Sequence, residues 1–392
     1  MVYDPSLVAR SDAGRDAPSG ACTPRAAPPR PTTADLPDGP EVAFAMRDSF
    51  LDQGAEWEEI GLDLDGFCTV GSSSPSECMS RETDGTDGID NVFGDELYPL
   101  VEAVTPGLED VARAAQEDGL GQPVLVLRGW NGTANDPLVD ASIASAVFST
   151  SADGDTADAP PAVTIRSPTD YELEGGGAVP LPVWDGLDWT WLREDAFFEG
   201  DILRANVRDE AAYVADGRIV VRLPNRIDIV LPTEEAGVLV RLGGATAIGT
   251  LSSDLRRIET LVVAGRWSVI DLLATAENVG ICRGSPQYEV LATRLGQIAD
   301  LRATQPSEPD PAIPCNAISL GVTFTGTRVR VAGLTAGLGL SSGCADTDAG
   351  VADAGVADAG AIDAGPSDAD STLDAGTPDA GSVDAPGIDA RR

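Results

Sequence analysis

The chain has 392 residues, with 64 Asp and Glu against 26 basic residues, all of them Arg, and no His, for a formal charge of −38. Without His or Lys it can hold no Ser-His-Asp or Cys-His dyad, no HExxH zinc site, no Walker-type phosphate loop and no Schiff base. A polyanion of this strength is repelled by phosphate backbones, so no nucleic-acid partner is expected.

Residues 1–39 carry Asp12-Ala-Gly and Asp16-Ala-Pro followed by a Pro/Arg-rich stretch, and read as a disordered linker. No apolar h-region lies in this segment, so an export signal is not visible in the chain. A strand is expected from Glu41, then an acidic stretch, then a polar loop over 66–91. Leu97, Leu100, Val101, Val104, Leu108, Val111 and Ala115 recur at three- and four-residue steps. That spacing predicts an amphipathic helix, bent near Pro106 and ended by Gly119. Pro123 to Trp130 reads as a strand, 131–137 as a turn, and Leu138 to Thr150 as the returning strand.

Short strands are expected over 202–207, 211–214, 218–223 and 226–231, split by Asp-Gly and Pro-Asn turns. Residues 237–251 and 258–264 continue the pattern. Ile219, Val221 and Leu223 alternate, so that strand should bury one face. Helices are expected over 267–278 and 287–302, and a strand or hairpin over 317–331. Residues 344–392 repeat Asp-Ala-Gly at a five-residue period that fits neither helix nor strand, and read as a disordered acidic tail. The expected fold is therefore mainly β, an antiparallel sandwich or barrel with a few packed helices, in one domain over 40–343 between two disordered tails. No run of about 18 apolar residues exists, so no transmembrane span is expected.

The six cysteines are Cys22, Cys68, Cys78, Cys282, Cys315 and Cys344. Six allow many pairings; the simplest reading joins Cys68 to Cys78, Cys282 to Cys315 and Cys22 to Cys344. No CxxC occurs and no His can complete a zinc set, so disulfides in an oxidising compartment are favoured over metal or redox chemistry. This places the protein outside the cytoplasm: periplasmic, outer-membrane-associated or secreted.

Three constellations carry possible chemistry. Asp63, Asp65, Asp84, Asp87 and Asp90 cluster among Gly turns, and oxygen-rich loops of this kind suit Ca²⁺. The EF-hand spacing fails, and a solvated turn cluster is the structural alternative. Asn131, Asn135 and Asp136 form either a cation loop or a specific hairpin turn. Trp184, Asp185, Asp188 and Trp189 combine aromatic faces with carboxylates, the ingredients of a sugar site or a carboxylate glycosidase. Large Trp side chains also serve as core.

The runs Gly61-Leu-Asp-Leu-Asp-Gly-Phe-Cys68, Asp87-Gly-Ile-Asp90-Asn91-Val-Phe-Gly94, Gly129-Trp-Asn-Gly-Thr-Ala-Asn-Asp136 and Pro314-Cys315-Asn-Ala-Ile-Ser-Leu-Gly-Val-Thr-Phe324 resemble uncharacterised exported proteins and lipoproteins of myxobacterial type. The Asp-Ala-Gly repeats are similar to linkers of the same group. The resemblance implies an envelope or exported location and no particular activity. The expected function is thus a non-enzymatic exported or envelope-associated protein, disulfide-stabilised, with Ca²⁺ as its candidate ion. An extracellular glycan or envelope component is the partner class that fits. A carbohydrate-active protein and a cytoplasmic acidic protein are the alternatives.

Overall fold

The computed structural model describes residues 23, 25–34, 36–69, 75–104, 106–151, 163–167, 170–173, 179–223, 226–232, 237–306, 308–336 and 343–344. The chain divides into residues 1–345 and 346–392; the second unit, and with it nearly all of the repeat tail, lies outside the described residues, as does Cys22. The first strands are β1 Val42–Phe50, β2 Pro123–Arg128, β3 Asp136–Thr150, β4 Val163–Ser167, β5 Asp170–Leu173 and β6 Trp189–Arg193. They are followed by β7 Arg208–Ala215, β8 Arg218–Leu223, β9 Ile227–Pro232, β10 Gly237–Leu251, β11 Arg257–Ser268 and β12 Ala317–Thr335. The α-helices are α1 Tyr98–Val104, α2 Leu108–Glu117, α3 Val269–Asn278 and α4 Pro286–Ile298.

Eight strands close a barrel in the order β1-β2-β3-β7-β8-β10-β11-β12, every neighbouring pair antiparallel, and β12 returns to pair with β1. Two strands lie outside the ring. β6 joins β3 antiparallel and β12 parallel, and β9 pairs the first part of β10. The hairpin β4-β5 forms its own small sheet. Length makes the branching possible. β3, β10 and β12 run 15, 15 and 19 residues, so each pairs with three other strands along its course. On β10 the change of partner falls at Gly243-Gly244, where the register shifts and Gly244 adopts φ of 57°. That left-handed conformation is open to Gly at little cost.

The barrel interior is apolar. Phe44 and Met46 on β1, Leu125 and Leu127 on β2, Ile219 and Val221 on β8, and Leu320 on β12 are all buried in one cluster. The opposite faces of β1 and β2 are buried as well: Ala43, Ala45, Val124 and Val126 pack with Leu192 of β6 and Phe197. This explains why β2 reads as an unbroken apolar run; β8, expected to bury one face, also buries Val220 on the other, packed with Tyr213. An eight-stranded ring leaves room for side chains and little else. Gly249 and Gly326 line it where space runs out: a Cβ on Gly249 would sit 2.9 Å from Ile219 Cγ2, and one on Gly326 3.1 Å from Ile258 Cβ.

The helices pack Leu272, Leu295 and Ile298 into the same core. Ser268 starts α3 by accepting the Asp271 amide, and Ser285 starts α4 by accepting the Tyr288 amide with Pro286 in the first turn. The expected bend near Pro106 is a full break, with Gly107 left-handed between α1 and α2. Three expectations need correction. Residues 202–207 form turns rather than a strand. The last helix ends at Ile298, because Leu301 bridges to Ala317. Residues 25–34 do not read as free linker: Arg30 donates to Pro137 O at 2.5 Å and stacks over Tyr213, whose hydroxyl donates to Pro28 O at 2.6 Å. Among the described residues no helix is long and apolar enough to cross a membrane.

The disulfides also differ from the simplest pairing. Cys78 bonds Cys315, and Cys282 bonds Cys344. Cys68 is disulfide-bonded but not to Cys78. The reason is topological: Pro314 bridges to Met79 as the chain enters β12, which brings Cys315 to Cys78 from across the sequence. Substituting Gly249 by Val should lower unfolding free energy by about 1–3 kcal/mol, the usual cost of overpacking, read as a lower denaturant midpoint at unchanged slope.

Candidate metal centre

The segment from Leu51 to Asn91 follows β1 and precedes a π turn at Phe93–Leu97. It is seated through β12. Gly321 has no side chain to spare: a Cβ there would lie 2.6 Å from Ile60 O. Asn91, 1% exposed, spends both ends of its amide. Its Oδ1 accepts from Gly321 N at 2.9 Å and Gly94 N at 3.2 Å, while Nδ2 donates to Gln53 Oε1 at 2.6 Å. Gln53 Nε2 returns to Gly321 O at 2.7 Å.

A buried ion pair makes the second attachment. Arg266 of β11 and Glu77 are 4% and 2% exposed in their side chains, and Arg266 grips both carboxylate oxygens. Arg266 also donates to Leu64 O at 2.6 Å and Arg302 O at 2.9 Å, and Glu77 accepts from Arg302 N at 2.5 Å. The Cys78–Cys315 bond lies next to it in sequence.

These attachments fold the acidic loop onto itself. Asp90 pairs with Leu62 as an isolated bridge, and its Oδ2 accepts from Leu64 N at 2.6 Å and Asp65 N at 3.3 Å. Asp63 caps Gly66 N at 2.6 Å and Asp65 caps Phe67 N at 2.8 Å. As a result Asp63, Asp65 and Asp90 each present a carboxylate oxygen within 4.8 Å of the others. Two oxygens on opposite sides of a Ca²⁺ stand about 4.8 Å apart, since each Ca–O bond is roughly 2.4 Å. The trio therefore spans what one such ion needs, with oxygen donors of the type it prefers.

The charges are expensive where they stand. Burial lifts Asp63 to about 6 and Asp84 to about 7, with neighbouring carboxylates adding to both. Burial pushes Asp90 well above the usual carboxylate range, helped by Asp65, Asp300 and Asp84. Asp65 is raised by burial and by Glu77, and drawn back by Arg266. Asp300, wholly enclosed behind Ser319, is lifted by burial to about 7. Such a group of carboxylates needs protons or a cation.

Of the five acids expected as ligands, Asp63, Asp65 and Asp90 converge and Asp84 adjoins them, held by Thr69 N at 2.5 Å. Asp87 is exposed at φ of 56° on the turn above, outside the trio. Asn131 and Asp136 are spent on their own turn, and Asn135 ties it to the turn between β7 and β8. Asp136 accepts Asn131 N at 2.8 Å, Asn131 Oδ1 accepts Thr133 N at 2.9 Å, and Asn135 Oδ1 accepts Asp216 N at 3.0 Å. The turn reading is the one its hydrogen bonds describe. Asp188 is wholly buried, and its oxygens accept Val183 N at 3.0 Å and Trp184 N at 2.7 Å. Trp189 is buried on β6, and Trp184 lies under Arg47 at 4.7 Å. Asp185 alone of these four is exposed, and it caps Leu187 N at 2.8 Å. The four make no open carboxylate-and-Trp face for a sugar.

Sequence reasoning missed Glu77, Arg266 and Asp300. A second acidic group, Glu82, Asp95 and Glu96, sits nearby in sequence, with Glu96 bonded to Arg294. Comparison with family models, curated proteins and solved structures finds no match for this chain, so the site is read from its own geometry.

Folded-state values near 6 and 7 lie above the unfolded carboxylate value of about 4. The folded protein then holds more protons than the unfolded one across that window, and its stability falls as pH rises from about 4 to about 7. Thermal melts in EDTA from pH 4 to pH 9 should show that decline and a plateau above it from these groups. Glu77→Ala should cost about 3–5 kcal/mol, because it strands the buried Arg266 charge, measured by denaturant unfolding.

Proposed function

We propose that the protein is a non-enzymatic, extracytoplasmic binding or structural protein whose acidic corner takes up Ca²⁺. The observation that supports this reading is the convergence of Asp63, Asp65 and Asp90 within 4.8 Å in a loop tied to the barrel by the Cys78–Cys315 bond. Disulfides persist in oxidising compartments, and the Cys282–Cys344 bond and the bonded Cys68 argue the same way. An envelope or exported location, as the resemblance to myxobacterial exported proteins implies, supplies millimolar-range calcium chemistry, where a three-carboxylate site of modest affinity has a use. The ion would replace protons as the partner of the buried carboxylates, so the site stiffens the loop rather than reacting.

The test is calorimetric melting of the full oxidised chain in EDTA and in CaCl₂ at matched ionic strength. A ligand that binds the native state preferentially raises Tm with concentration. The expected rise is several degrees at pH 8 and much smaller at pH 5, since the carboxylates must shed protons to bind. Asp90→Asn should abolish the rise and, by removing a buried charge, increase Tm in EDTA. Asp87→Asn should leave the rise intact. An unchanged Tm at pH 8 in CaCl₂ would overturn the reading.

A further inference from the structure

A cleft of about 410 Å³, lined by none of the acidic-corner carboxylates, lies between β1, β12, the turn at Gly186-Leu187 and Arg256. Its lining inverts the charge of the molecule. Arg256, Arg328 and Arg330 face it together with a single carboxylate, Glu41, among the described residues. Glu41 is already engaged by Arg128 at 2.6 Å. In a chain with formal charge −38, three guanidinium groups at one cleft are not the surface average.

Backbone bonds fix where the three residues start, and one guanidinium is also placed against a ring. Arg328 N donates to Arg256 O at 3.2 Å, which ties their backbones together. Arg330 N donates to Asp188 O at 2.8 Å, and its guanidinium lies over the Trp189 ring at 5.4 Å. Of the carboxylates nearest in sequence, Asp254 also acts on Arg256 through its charge. Asp188 is spent on the amides of Val183 and Trp184, and Asp254 accepts from Ser252 Oγ at 2.6 Å and Arg256 N at 3.1 Å. A larger cleft at Arg204, Arg208 and Arg222 lacks this imbalance, since Asp209 and Glu210 share its lining and Asp140 grips Arg208 at 2.6 Å and 2.7 Å.

We propose that the cleft between β1, β12 and Arg256 binds a small multivalent oxyanion through Arg256, Arg328 and Arg330. Guanidinium forks match the oxygens of phosphate and carboxylate groups, and an ordered Arg loses less freedom on binding. The volume suits a small molecule at the lower end of ordinary ligand sites. The acidic surface elsewhere is screened beyond a Debye length of about 10 Å at 0.1 M salt, so the local groups decide.

Titration calorimetry on the full chain tests this, with inorganic phosphate and citrate as separate probes. Metal is removed beforehand with a chelating resin, so that chelation contributes nothing and no competing polycarboxylate is in solution, and sodium chloride matches the ionic strength. The expected result is a saturable heat with at least one probe; the two arms distinguish a tetrahedral from a carboxylate ligand. Arg256→Gln and Arg328→Gln should each weaken it about tenfold, as loss of one charge-assisted contact predicts. Arg256 is exposed, so that variant keeps the fold and Tm even where Arg328→Gln does not. No saturable heat with either probe, or undiminished affinity in Arg256→Gln, would overturn the proposal.

Discussion

The buried pair of Arg266 and Glu77 is the constraint on which the acidic corner depends. A guanidinium and a carboxylate taken out of water cost several kcal/mol each, and their attraction offsets this only when the remaining donors and acceptors are used. Here they are used: Leu64 O, Arg302 O and Arg302 N complete the set around the pair. Because each partner is lost without the other, the pair fixes where the loop meets β11. Asp65 feels that placement directly, since Arg266 draws its raised pKa back down. The loop can then gather carboxylates that would otherwise spread apart in solvent.

The rest of the fold serves as a rigid frame for that corner. The eight strands fill their interior with Phe44, Leu125, Ile219 and their neighbours, leaving β12 no freedom to shift register. β12 in turn sets Gly321 against Ile60 and Asn91, and Cys315 against Cys78. Carboxylate repulsion is therefore borne by elements anchored in apolar packing. The acidic trio and the arginine-lined cleft are of opposite sign and differ in support: Asp63, Asp65 and Asp90 converge through loop hydrogen bonds, whereas Arg328 and Arg330 are carried by a strand.

Much of this architecture was legible in the chain. The buried Ile219, Val221 and Leu223 and the starts of the helices expected from Trp267 and Gln287 are local signals that the structure follows to within two residues, while the bend expected near Pro106 is a break. The strand β6 was not legible, because Trp189-Thr-Trp-Leu reads equally well as an aromatic ligand face; its burial comes from covering β3 and β12. Asp63, Asp65 and Asp90 were legible as candidates because each sits in an acidic Gly-punctuated run, and the Leu62–Asp90 bridge joins the two runs. Asp300 and Arg266 were not, because only the register of β11 and β12 brings them there. The same is true of the disulfides: proximity along the chain favoured Cys68 with Cys78, and proximity in space joined Cys78 to a residue 237 positions away.

The closing role of β12 has a consequence for how the molecule is made. It is the last strand among the described residues, and it pairs with β1, β11 and β6. Until it is synthesised, β1 and β11 both present open edges, and unpaired edges are templates for association with other chains. Contacts between the first and last strands also close late, since joining distant segments costs loop entropy before any contact is gained. A nascent chain of this topology must therefore be kept apart from its copies over nearly its whole length. A ring of this kind is complete only when its final segment docks as the keystone.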